Sequence, residues 1–86
     1  MDAYGYIEVV GLVPAIAAAD AALKAANVEV VCKENTGKAM IAVIIKGEIS
    51  SVRAAVAAAE EEVSRMAAVV STNVIARPDE ALAGLY

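Results

Sequence analysis

From Leu12 to Ala26 the chain reads LVPAIAAADAALKAA, with Asp20 and Lys24 as its only charged residues. Those two stand four positions apart with the acid first, the order that lets them pair along a helix. Pro14 fits a first helical turn, where its missing N–H would have no partner anyway. The stretch therefore predicts a helix from about Val13 to Ala26, with Asn27 suited to its C-terminal cap. Nearly every other side of that helix is Ala, Ile, Leu or Val. A helix on the surface of a monomer needs a broad polar face, and this one has almost none. Whatever fold the chain adopts must keep it dry on more than one side.

The chain is too small to do that alone. With 86 residues and 8.8 kDa it forms one domain, residues 1–86. A domain of this size buries about 60–65% of its unfolded surface. Hydrophobic residues are 60% of the sequence, yet aromatics are 3%, with neither Phe nor Trp. Ala and Val dominate, and they bury little area at roughly 25 cal/mol per Å². A thin core in an apolar chain implies that surface is buried against other copies. The expectation is an obligate oligomer.

The remaining segments alternate with this helix in a recognisable order. Tyr4–Val10 is aromatic and β-branched, a strand that Gly11 ends. Val28–Lys33 is a second strand, Asn35–Lys38 a turn, and the unbroken apolar run Met40–Ile45 a central strand. Ile49–Met66 predicts a second helix, with Val52, Val56, Ala59, Val63 and Met66 on one face. Val69–Ala76 is a fourth strand that Arg77-Pro78 terminates, and Asp79 caps a short helical turn over Glu80–Leu85. The order is β-α-β-β-α-β. The fold class is α+β and ferredoxin-like: a four-stranded antiparallel sheet with two helices on one face, plus a short C-terminal helix. No linker or second domain is expected.

Charge and composition exclude several functions. Eleven Asp+Glu against seven Lys+Arg give a net charge of −4 and offer no footprint for nucleic acid or an anionic membrane. Without histidine, one chain has no His zinc site, His acid–base catalysis or catalytic triad. The single Cys32 forms no intrachain disulfide, which suits a reducing cytosol. The start of the chain lacks the charged-then-apolar order of a signal peptide, and Leu12–Ala26 falls short of the ~20 residues of a membrane span. The expectation is a cytosolic protein that is not an enzyme and needs no cofactor.

Few residues carry chemistry. Thr36-Gly37-Lys38 resembles the tail of a P-loop, but Cys32 stands where the first glycine belongs and Ala39 where Ser or Thr does. Cys32 reads as a small buried apolar residue; a metal or iron–sulfur site would need thiols from several copies. Glu60-Glu61-Glu62 reads as a solvated helix face, with no second carboxylate cluster for acid–base work. Lys38 matters only if turns from several copies converge.

Tyr6-Ile7-Glu8, Gly11-Leu12, Ala18-Ala19-Asp20-Ala21, Lys24-Ala25-Ala26-Asn27-Val28, Lys46-Gly47-Glu48 and Val74-Ile75-Ala76-Arg77-Pro78 together resemble the single-domain hexameric shell proteins of bacterial microcompartments (BMC). The resemblance runs over about Tyr4–Pro78 without gaps. It implies a flat homohexamer in the bacterial cytoplasm that tiles with other shell proteins around encapsulated enzymes. It also assigns sites: Lys24, Asn27 and Arg77 at the hexamer edge, and Thr36, Gly37, Lys38 and Ala39 lining a central pore for small metabolites. Arginine suits an edge because its planar fork grips several carbonyls. Lys38 and Ala39 replace a common Gly-Ser-Gly type turn, and a ring of six Lys38 ammonium groups would attract anions. Val9 and Val10 replace a polar-basic pair. Glu48 takes the place of a capping aspartate and caps less well. The competing expectation is an oligomeric ferredoxin-like module that binds a small regulatory ligand between subunits.

Overall fold

A computed structural model of the chain describes residues 2–34, 40–66 and 69–75. The elements are β1 (Ala3–Val10), α1 (Leu12–Ala25), β2 (Glu29–Glu34), β3 (Met40–Gly47), α2 (Ile49–Ser64) and β4 (Val69–Ile75). They form one antiparallel sheet in the order β2-β3-β1-β4. This is the expected split β-α-β arrangement, with β3 inserted between the two strands that α1 connects. The apolar run of β3 lies inside the sheet between β2 and β1, where Ile41, Val43, Ile44 and Ile45 are buried. The C-terminal helix expected over Glu80–Leu85 lies outside the described residues.

Register decides which side chains meet the helices. Ile7 pairs with Val43 and Thr72, Gly5 with Ile45 and Val74, and Val9 with Ile41. These rows face α1 and α2, and Ile7, Val9, Val43 and Ile45 are fully buried there. The alternate rows, Tyr6–Ile44–Val31 and Tyr4–Lys46–Glu29, lie on the opposite face. A register shift between Glu8 and Val9 marks a bulge against β4, which locally increases the twist.

α2 packs as its periodicity predicts. Val52, Ala55, Val56, Ala59 and Val63 are buried on one stripe. Met66 falls past the end of the helix and is 43% exposed, so it does not belong to that stripe. Glu48 precedes the helix without making a side-chain cap. Its carbonyl accepts the Val52 N–H at 2.8 Å. Close approach of α2 to β1 depends on Gly5. A Cβ there would stand 2.5 Å from Val56 Cγ2 and 2.8 Å from Val52 Cγ1.

α1 begins after Gly11, whose φ of 99° is a left-handed value that favours glycine. The helix ends at Ala25, one residue earlier than its composition suggests. Ala26 is already extended at φ −157°, ψ 164°, so Asn27 leads into β2 and is not the helix cap.

Candidate functional site

α1 sorts its apolar residues by size, with the large ones outside. Ala15, Ala18 and Ala22 are fully buried, while Leu12, Val13, Ile16 and Leu23 are 64%, 70%, 58% and 55% exposed. The buried alanines recur at intervals of three and four, and their small side chains let α1 lie close to the sheet and α2. The four large residues recur at three, four and seven on the outer flank. Full burial of each would contribute about 1.5–3 kcal/mol. The protomer forgoes that contribution at four neighbouring positions.

The outer flank also carries the Asp20–Lys24 pair. Lys24 Nζ lies 2.8 Å from Asp20 Oδ2, with both side chains largely exposed. The hydrogen bond to Asp20, and next its charge, raise the lysine pKa, so Lys24 stays cationic through the physiological range. An exposed pair of this kind adds little to stability. Its consequence is to fix where a positive charge sits.

The two ends of the protomer differ. α1 starts where a shallow groove is lined by Gly11, Leu12, Cys32, Glu34 and Ile41, the end at which residues 35–39 join β2 to β3. It finishes at the opposite end, where Gly47 closes on the backbone of Asn27 and Val28. Lys24 and Asn27, both exposed, are thus brought together, a helix length away from the β2–β3 connection. β4 also ends there, since Ile75 pairs with Tyr4 in the row of Lys46 and Glu29. Thr36, Gly37, Lys38, Ala39 and Arg77 lie outside the described residues.

Cys32 departs from expectation. It shares strand parity with half-buried Val28 and Val30, yet it is exposed. β2 is an edge strand, and by Cys32 the helix above it has reached its first residues, so little remains to cover the thiol. Partial desolvation still raises its pKa, which keeps it a thiol near neutrality. Among the described residues no three His, Cys, Asp or Glu side chains converge to hold a metal ion. The acidic run is engaged locally: Thr72 Oγ1 donates to Glu60 at 2.9 Å, and Arg65 donates to Glu61 and Glu62 at 3.4 and 3.3 Å. No described helix is long and apolar enough to cross a membrane.

The sequence reveals that α1 lacks a polar face, but Leu12, Val13, Ile16 and Leu23 are not singled out by it. Their signal is size. In a helix whose inner stripe is all alanine, the larger apolar residues mark the surface meant for another partner.

A ferredoxin-like α+β domain with its larger helical side chains turned outward defines a building block for assembly. Comparison with known proteins gives it a family. The BMC domain model matches residues 3–78. The chain is 45% identical over 82 residues to carboxysome shell protein CcmK1 of Thermosynechococcus vestitus, covering 93% of this chain and 73% of that protein. It is 46% identical over 77 residues to carboxysome shell protein CsoS1A of Hydrogenovibrio crunogenus, covering 88% and 80%. A solved microcompartment protein from Desulfitobacterium hafniense DCB superposes with a TM-score of 0.87 at 31% identity. That match takes in 95% of this chain, which spans about half (47%) of that longer one. The chain belongs to the BMC domain family of bacterial microcompartment shell proteins. These relatives are structural, in keeping with a protein that is not an enzyme.

Proposed function

We propose that the protein is a tile of a bacterial microcompartment shell in the cytoplasm, assembling as a cyclic homohexamer that joins other hexamers and other shell proteins edge to edge. The single observation that carries this reading is the inside-out helix α1. Covering the flank of Leu12, Val13, Ile16 and Leu23 would bury four large side chains, and the most available cover is the next copy of the chain. A head-to-tail contact that closes into a ring is the use this reading gives the flank.

Within that ring the β2–β3 connection and the Lys24–Asn27 end serve different roles. We assign Thr36, Gly37, Lys38 and Ala39 to a central pore through which small metabolites reach encapsulated enzymes. Lys38 gives that pore a preference for anions in an otherwise acidic tile. We assign Lys24, Asn27 and Arg77 to the edge that meets the next hexamer. The fact that Lys24 and Asn27 share one end, opposite the β2–β3 connection, supports the division. The regulatory-module alternative receives no support from the family match.

Negative-stain electron microscopy with sedimentation tests both levels. Expected are a sixfold species and single-layer sheets or tubes. Arg77→Ala should abolish the sheets and leave the hexamer, and Lys38→Ala should lower anion passage or occupancy at the pore. A stably folded 8.8 kDa species at micromolar concentration overturns the proposal.

A further inference from the structure

β2 forms one edge of the sheet, and among the described residues it pairs with β3 alone. Glu29, Val31, Cys32, Lys33 and Glu34 are exposed along it, Val31 at 60%. An unpaired strand edge is a template for another strand. This one is its own complement. About a two-fold axis at Val31, an antiparallel copy sets Val31 against Val31, Glu29 against Lys33 and Val30 against Cys32. Glu29, Val31 and Lys33 alternate onto one face of the strand, so two opposite-charge pairs flank one valine pair, each a favourable cross-strand contact. Lys33 forms no salt bridge with any described residue. Moving the axis to Val30 or Cys32 loses both charge pairs. Edge charges usually deter pairing; here they select one register of it.

The helix above brings its own apolar row to the same side. Leu12 lines a groove with Cys32 and Glu34, so α1 begins over β2. Leu12, Ile16 and Leu23, at spacings of four and seven, form one row of the helix, each more than half exposed. Lys24 lies round the helix from that row, where the charge of Glu62 on α2 reaches it. The row therefore overhangs the open edge. The two-fold that joins the strands keeps the helices on one face and sets α1 antiparallel to its copy, row against row.

From this juxtaposition we infer that β2 pairs with β2 of a second copy across a two-fold axis at Val31. Two four-stranded sheets become one, and the Leu12–Ile16–Leu23 rows cover each other. This goes beyond the shell-tile reading, because the dimer is a second, closed assembly. It takes the same α1 flank that ring closure takes, so a copy held in the dimer is withheld from the ring. The charges at 29 and 33 then set how much of the protein is free to assemble.

Opposed residues of antiparallel strands stand about 4.5–5.5 Å apart at Cα, within the span of a disulfide. Val31→Cys in a Cys32→Ser background should thus form a covalent dimer on mild oxidation. Pre-association raises the effective thiol concentration, so it should form at least about tenfold faster than from Ser71→Cys on the other edge strand. Adding Lys33→Glu brings four carboxylates together and should remove that advantage. Adding Glu29→Lys with Lys33→Glu should restore it. Equal rates at the two sites, or crosslinking indifferent to Lys33→Glu in a chain with native circular dichroism, overturn the inference. If Lys33→Glu does not fold, the comparison of Val31→Cys with Ser71→Cys decides. Sedimentation of the uncrosslinked parent reads the ring separately: fast Val31→Cys crosslinking without a sixfold species overturns the shell-tile reading and leaves the dimer standing.

Discussion

The two helices pack against the same sheet and use their apolar residues in opposite ways. α2 buries valines, Val52, Val56 and Val63, and leaves charge outside, with Glu60, Glu61 and Arg65 exposed. α1 buries alanines and leaves Leu12, Val13, Ile16 and Leu23 outside. α2 therefore stabilises the protomer, and α1 fills a thin layer in it while presenting its larger side chains to something else. The difference teaches that a helix's contribution to its own fold is read from what it buries, and its contribution to assembly from the sizes it leaves wet.

Breaking the α1 side should have the largest effect on assembly and almost none on the protomer. Ile16→Asp should weaken association at least about a hundredfold by sedimentation, because a charge would be buried without a partner. Surface substitutions usually cost within about 0.5 kcal/mol, so its circular dichroism spectrum should stay native. If Ile16→Asp sediments like the parent, the contrast between the helices has been misread.

On the α2 side the order reverses. Gly5→Ala should destabilise by about 1–3 kcal/mol in denaturant unfolding, because the new Cβ collides with two valines that have little freedom to move. Its effect on association should follow only from that loss. Thr72→Val removes the donor to Glu60 at 2.9 Å and should cost about 0.5 kcal/mol or less at this exposed site.

The smallest expected effect concerns pH. Burial, and next the neighbouring Tyr4, raise the Tyr6 pKa above 10.0. A group whose folded pKa is raised stabilises fully below its unfolded value and loses that contribution as pH climbs through the folded one. Stability should thus begin to fall above about pH 10, and Tyr6→Phe should flatten that decline. Absorbance at 295 nm should place Tyr6 ionisation later than that of a free tyrosine. An ordinary titration for every tyrosine would show that the second sheet face is wetter than Tyr6 suggests.

Much of this was legible before any coordinates. Period-two runs in β1, the unbroken run in β3 and the Val52–Val63 stripe each reflect local sterics and burial that the residue order itself encodes. Boundaries were harder. Asn27 looked like a cap, but Ala26 had already turned extended to feed β2, a demand set by strand pairing. Cys32 looked buried by parity. Its exposure depends on where α1 begins above an edge strand, and parity contains no such information.

The sequence alone determined an α+β order of elements with an apolar surplus, because hydrophobic spacing and residue size are local properties. Which flank of α1 holds that surplus, and the gathering of Lys24 with Asn27 away from the β2–β3 connection, were decided only in three dimensions. Strand order and helix rotation about the sheet bring together residues far apart in the chain, and that depends on how all the layers pack at once.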